Sequence, residues 1–271
     1  MGRPGHILKE AARLASKGLF AAADPFFGAF PGPRLLIYHQ IEAGLGRQME
    51  VTKKAFTAQL DWLTHNGAVA SLDDAITARG SEESDRTFVL TFDDGYDDFY
   101  RHGFPQLVAR GLPFVLYLTT HPVETGEALF PGGGAEPVTW AHVDEMLASG
   151  LMTLGAHTHT HLDLRTASTD EVEDELGRSD DIIRARTSIT PIHFAYPWGY
   201  WSRAADGPVR ARYATATLGS GPAITSGTDP LLLNRVPVQL GDGVFFFKRK
   251  MKTGLRLEDK VRRRLVGYRG P

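Results

Sequence analysis

The sequence contains no cysteine among its 271 residues. Disulfides, thiolate metal sites and cysteine nucleophiles are therefore excluded, while the redox compartment stays open, since a secreted chain can also do without cysteine. No apolar run approaches the ~18 residues that a membrane-spanning helix needs. Net charge is small, −2 at pH 7, so bulk charge gives no reason to expect a nucleic-acid partner. No repeat of fixed period is present. The composition, 42% hydrophobic and 23% charged, is that of a globular chain and excludes a fibrous or disordered one. The length is enough to bury a full core without covalent staples.

The near-neutral total hides an asymmetry. Residues 248–271 carry ten Lys/Arg against two Asp/Glu, a net of +8, which leaves −10 on the other 247 residues. Three segments are expected: an N-terminal arm at 1–31, a catalytic domain at 32–243 and a basic tail at 244–271. The arm has early positive charge, and its apolar stretches are broken by Lys9, Glu10, Arg13, Lys17 and Asp24. An export signal needs an uninterrupted apolar core of roughly 7–15 residues, so the arm reads as an amphipathic helix or a loose arm rather than an export signal. The expected location is cytoplasmic. In the tail, VFFFKRKMK sets three consecutive phenylalanines before a cationic cluster. Such a pattern suits peripheral contact with an anionic membrane at its inner face. It suits better phenylalanines that close the floor of the barrel, with the charges as a solvated tail.

Between these ends, strands and helices alternate. Apolar runs at 35–41, 87–92, 114–118, 151–156, 192–195, 213–217 and 231–238 read as buried strands. Helices are expected at 53–66, 96–110, 139–149 with Thr139 as N-cap, and 169–186 with acidic residues in the first turn. Residues 121–138, rich in Gly and Pro, read as a loop. Alternation implies a parallel α/β architecture. Pattern alone leaves an open doubly wound sheet and a (β/α) barrel both available, and in either the chemistry gathers at the strand C-termini.

Two strand ends carry unusual residues. Asp93-Asp94-Gly95 closes TFVLTF, and adjacent carboxylates at the end of an apolar strand are costly unless something uses them. An Asp-Asp-Gly is also a common turn. His157-Thr158-His159-Thr160-His161 closes a second strand. His157 and His161, four apart, fall on one face of a helical turn, which lets both rings reach one metal ion, while His159 faces elsewhere. One Asp with two His leaves a position open for water, as in catalytic zinc sites. A third segment, His193-Phe194-Ala195-Tyr196-Pro197-Trp198-Gly199, is either a packed loop or, beside a metal, an aromatic groove wall for sugars.

Taken together, TFDDG, HTHTH and FAYPWG resemble in order the first three motifs of the polysaccharide deacetylase family, the NodB-homology carbohydrate esterases. The family includes chitin, peptidoglycan and poly-N-acetylglucosamine deacetylases. The resemblance covers roughly residues 35–240. It implies a distorted (β/α) barrel, a single catalytic domain, and metal-dependent removal of acetyl groups from amino sugars. Carried over motif by motif, Asp93 is the general base, Asp94, His157 and His161 hold the metal, Thr158 steadies the histidine loop, and Trp198 offers its backbone N–H to the oxyanion, with Tyr196 supporting.

Most members of the family place a general-acid histidine late in the chain, but no histidine follows His193. A branch similar to poly-N-acetylglucosamine deacetylases has its motifs permuted and carries Tyr-His at the end of the first strand. Tyr38-His39 stands there, which implies His39 as the acid. Two departures are visible. Ala195 replaces the arginine of the third motif, and the late Asp-Trp motif is missing. Arg235, in a late strand, is the candidate to orient Asp93. Zinc is the first choice of metal, and cobalt, nickel or iron would also be accepted. The implied partner is an acetylated glycan or a lipid-linked amino sugar. Alternatives are a metal-independent amidohydrolase of the same fold and a non-catalytic carbohydrate-binding protein. Retention of Asp93 and His39 argues against the second, because sugar binding needs no acid–base pair.

Overall fold

Near-continuous apolar runs form strands here because both faces of each strand are covered, as in a parallel sheet under helices. The computed structural model describes residues 31–130, 135–221 and 223–253; the arm at 1–30 and the tail beyond 253 lie outside them. Ten strands are described. They are β1 Arg34–Tyr38, β2 Gln40–Ile41, β3 Glu50–Val51, β4 Ala68–Val69, β5 Thr87–Asp94, β6 Phe114–Leu118, β7 Met152–Ala156, β8 His193–Ala195, β9 Thr215–Thr217 and β10 Arg235–Pro237. Seven of these run parallel in the order β10-β1-β5-β6-β7-β8-β9, with β4 paired to the start of β5. A parallel bridge between Thr217 and Leu233, with Leu233 N–H on Ala216 O at 2.9 Å, carries the segment before β10 back to β9. The sheet is thus nearly closed into the expected distorted (β/α) barrel.

Among the described residues eight α-helices accompany it: α1 Lys53–Asn66, α2 Leu72–Thr77, α3 Phe104–Val108, α4 Thr120–Thr125, α5 Trp140–Ala148, α6 Thr169–Thr187, α7 Arg203–Arg212 and α8 Gly243–Thr253. Thr139 and Ser168 begin α5 and α6 with capping boxes through His142 and Glu171. Each satisfies backbone donors that a helix start leaves open. The period of two along the strands separates two apolar sets. Leu35, Val89, Val115, Tyr117 and Ala195 fill the barrel interior, while Leu36, Leu90, Leu116 and Phe194 face the helices.

Three expectations are corrected. Residues 96–110 are not one helix. Tyr96 bridges Pro137, a π-helical turn spans Phe99–Gly103, and only then does α3 begin. Pro105 has no N–H to give the preceding turn, and Phe104 N–H reaches Phe99 O instead. The loop expected at 121–138 begins as α4, and residues 131–134 lie outside the described residues. The strand expected at 231–238 is split into a 3₁₀ turn at Pro230–Leu232 and β10. Of the segment expected as a tail, residues 244–253 belong to α8. That helix packs Phe247 and Met251 inward, with Phe247 edge-on to Trp62 of α1 at 5.9 Å between ring centroids. Lys250, also buried, bonds Asp242 Oδ2 and Pro237 O, each at 2.7 Å, and so ties α8 to the end of β10.

Candidate functional site

A pocket of about 510 Å³ opens at the C-terminal ends of the strands, lined by His39, Asp93, Asp94, His157, His161, Trp198 and Arg235 among others. The two adjacent carboxylates reach it by different routes. Alternation puts Asp93 in line with Val89 and Thr91, pointing into the barrel. The same rule would send Asp94 outward with Phe92. Asp94 instead has a left-handed backbone, φ +73°, and the turn continues through Gly95 at φ +86°. A β-carbon at Gly95 would meet Leu118 Cδ1 at 2.5 Å, so the turn demands glycine.

The histidine loop is also left-handed rather than helical. Thr158 and His161 have φ of +66° and +63°. The four-residue spacing therefore brings the rings together through a tight loop, which corrects the expected helical turn. Thr158 Oγ1 accepts from His161 N–H at 3.1 Å, a bond that holds the loop closed. His159 turns away, its Nδ1 2.9 Å from Thr120 Oγ1. Sequence reasoning missed the carboxylate beneath this loop. Glu175 of α6 accepts from His159 N–H and Thr160 N–H at 2.9 and 2.8 Å and from the Thr160 hydroxyl at 2.7 Å. Its signal was a glutamate on the buried face of α6 with Val172, Leu176 and Ser179.

The Asp94, His157 and His161 side chains fit a cation. His157 Nε2 and His161 Nε2 lie 3.4 and 3.5 Å from Asp94 Oδ1. These separations exceed a normal hydrogen bond. They are close to the roughly 3.3–3.4 Å that separates the ligand atoms of a tetrahedral ion with bonds of about 2.0–2.1 Å. Asp94 Oδ1 is buried and accepts no hydrogen bond among the described residues. His157 Nδ1 sits 2.7 Å from Ala195 O, so it carries the proton and leaves Nε2 bare, as a ligating imidazole requires. Burial pushes His157 down to about 3 and His161 down to about 4, so both rings are neutral. Burial also lifts Asp94 to about 6, reinforced by Asp93 and opposed by His39. A buried carboxylate oxygen without a donor is costly, and these three groups together could hold a metal ion.

Asp93 is treated in the opposite way. Burial would raise its pKa, but Arg235, His157 and His39 outweigh that and hold it at about 2. Arg235 Nη1 and Nη2 donate to its two oxygens at 2.6 and 2.8 Å. The guanidinium is itself fixed by Thr91 Oγ1 at 2.9 Å and Leu218 O at 3.1 Å. His39 follows β1, with Nε2 4.0 Å from Asp94 Oδ2. Trp198, at φ +62°, stands half exposed at the mouth, its ring near His161 and Phe130 at centroid distances of 5.2 and 5.7 Å. The turn holding it rests on a close backbone approach: a β-carbon at Gly199 would lie 2.3 Å from Gly219 Cα. Tyr196 does not reach the pocket. Two residues past Phe194, it shares that residue's outward face and packs edge-on against it at 5.1 Å, behind the residues that line the pocket.

The family profile described as polysaccharide deacetylase matches residues 80–215, half of the chain. YxkH of Bacillus subtilis (strain 168), whose name assigns it to polysaccharide deacetylases, is 27% identical over 178 residues, 62% of this chain and 57% of its own length. The poly-beta-1,6-N-acetyl-D-glucosamine N-deacetylase of Escherichia coli (strain K12) is 32% identical over 145 residues, 49% of this chain and 21% of that protein. The chain therefore spans little more than half of one curated relative and a fifth of the other. Among solved structures, IcaB from Ammonifex degensii superposes with a TM-score of 0.69 at 22% identity, covering 82% of this chain and 96% of its own. The Streptococcus pyogenes deacetylase PplD in complex with acetate gives 0.67 at 24%, covering 82% and 98%. At such identities these structures show the fold alone.

Proposed function

This chain belongs to the polysaccharide deacetylase family, and from that membership we propose that it is a metal-dependent hydrolase that removes acetyl groups from N-acetylated amino sugars of the N-acetylglucosamine type. The observation that carries the proposal is the orphaned Asp94 Oδ1 between two neutral imidazoles, placed directly beside an ionised Asp93. Asp94, His157 and His161 would hold the ion, zinc by preference for its nitrogen and oxygen ligands. When bound, a divalent cation supplies Lewis-acid polarisation of water and of the acetyl carbonyl.

The chain's own residues do the rest. Asp93, aimed by the Arg235 fork, accepts the proton of the attacking water. The water oxygen bonds to the acetyl carbon, and the backbone N–H of Trp198 donates to the oxyanion that develops there. The carbon–nitrogen bond then breaks as His39 delivers a proton to the leaving amine. The products are acetate and a free amino sugar. The Trp198 and Phe130 rings border the sugar.

The test is acetate release from N-acetylglucosamine oligomers by the chelator-stripped protein before and after zinc is restored, with zinc binding followed by calorimetry. Zinc should restore turnover, and His157→Ala should lose both binding and turnover. Equal zinc binding by wild type and His157→Ala would remove the ligand assignment, and zinc-loaded protein that releases no acetate would remove the deacetylase reading.

A further inference from the structure

Seven large apolar side chains are exposed among the described residues; one of them, Trp198, lines the pocket, and four others stand within a few residues of chain positions that line it. Leu45 is 39% exposed in the loop that leads to Gln48 and Met49, which line the pocket. That loop is not loose, for the Glu50 carboxylate accepts from Gly44 and Leu45 N–H at 2.6 and 3.0 Å. Leu240, 37% exposed, follows the pocket residue Gln239 and donates its N–H to Gln48 O at 2.9 Å. Val244 and Phe245, 51% and 59% exposed, open α8 directly after this turn.

Helix α8 divides its two faces. Phe247, Lys250 and Met251 are buried against the body. The outer face begins apolar with Val244 and Phe245 and turns cationic one turn later with Lys248, Arg249 and Lys252. Lys248 and Lys252 are exposed, and the Arg249 guanidinium lies 5.7 Å from the Phe245 ring. The buried Lys250–Asp242 bond keeps this helix in a fixed position relative to the rim. A polyanion in water would answer the cations and leave the leucines, valine and phenylalanine wet. An anionic bilayer answers both, since apolar side chains enter the headgroup boundary while lysines stay with the phosphates.

We propose that this rim, built from Leu45, Leu240, Val244 and Phe245 with Lys248 and Lys252 behind it, docks on a lipid bilayer that carries anionic headgroups, with the pocket mouth against the membrane surface. The sugar taken by the pocket is then one held at that surface by a lipid. This last step rests on the deacetylase reading, whereas the docking does not.

The test is sedimentation of the full chain with phosphatidylcholine vesicles and with vesicles that also contain phosphatidylglycerol, at low and high salt. The protein should pellet with the anionic vesicles at low salt and be released by high salt. Lys248→Glu with Lys252→Glu should weaken this by about 25-fold or more, since each lysine near an anionic surface contributes about fivefold in affinity. Phe245→Ser should weaken it as well. No pelleting by the wild type, or pelleting unaffected by Phe245→Ser, overturns the proposal. So does equal binding of wild type and Phe245→Ser to the soluble polyanion dextran sulfate with no preference for vesicles. Acetate release from a soluble acetylated oligomer should be unchanged in all variants. If no form of the protein releases acetate, the deacetylase reading falls and the docking is still decided by the vesicles.

Discussion

Neighbouring carboxylates at positions 93 and 94 are given opposite characters by their surroundings. Asp93 shares both oxygens with one guanidinium and stays ionised, while Asp94 has an oxygen that bonds to nothing among the described residues. The division predicts separable losses. On the proposed mechanism, Asp93→Asn would remove the proton acceptor and leave Asp94, His157 and His161 intact. Turnover should therefore fall by about 10²–10⁴-fold, the usual share of a general base, with zinc content at wild-type level by atomic absorption. A variant that kept near-full turnover would transfer the base role to another residue. At this scale the sequence was readable where a residue type is out of place: paired Asp after an apolar strand, clustered His after another, one Arg in a late strand. It was unreadable where meaning depends on a turn. Nothing in the letters says that Asp94 is folded back by a positive φ, or that Tyr196 continues the outward face of Phe194.

Among the elements, α6 has a function beyond covering the sheet. Its Glu175 takes three hydrogen bonds from the histidine loop and is the only side chain described as bonding both the His159 and Thr160 amides. Glu175 is thus a positioning residue for His157 and His161. Glu175→Ala should weaken zinc binding by about 10–100-fold, the usual cost of losing an outer partner of a metal site. Glu175→Gln can accept the two amides through its carbonyl and donate to Thr160, and should recover most of that loss. Calorimetry with zinc checks this, and an Ala variant that binds as tightly as wild type would make Glu175 a structural residue only. The long capped helices were legible because propensity, capping and apolar spacing agree. Helix α2 escaped, with only six residues behind its Ser71 cap, and α7 escaped because Pro208 and Gly207 stand inside it. The barrel itself could not be separated from an open sheet on pattern, since closure depends on a bridge between β9 and residue 233.

For the molecule as a whole, stability carries a pH signature from outside the pocket. Asp180 of α6 is lifted from 3.8 to about 6, chiefly by burial, against the Tyr213 hydroxyl bond and Arg212. A carboxyl whose folded pKa is raised binds its proton more readily in the native state. Its contribution is fully present below the unfolded pKa of 3.8 and is lost as pH rises through about 6. Asp180→Asn keeps an acceptor for Tyr213 and has no such titration. The melting temperature of wild type relative to this variant should therefore drop between pH 4 and pH 7, the window set by those two values, and a gap independent of pH would contradict the shift. The left-handed residues of the pocket bear on the same total. Asp94, Thr158, His161 and Trp198 are four of the six non-glycine residues described with positive φ, and each such position costs roughly 1–3 kcal/mol in a fold whose net stability is about 5–15 kcal/mol. Selection for stability and selection for chemistry pull in opposite directions at these four sites. In a lineage released from its substrate, drift should reach them early, toward glycine or asparagine, so that their identity in any descendant records whether the chemistry is still under selection.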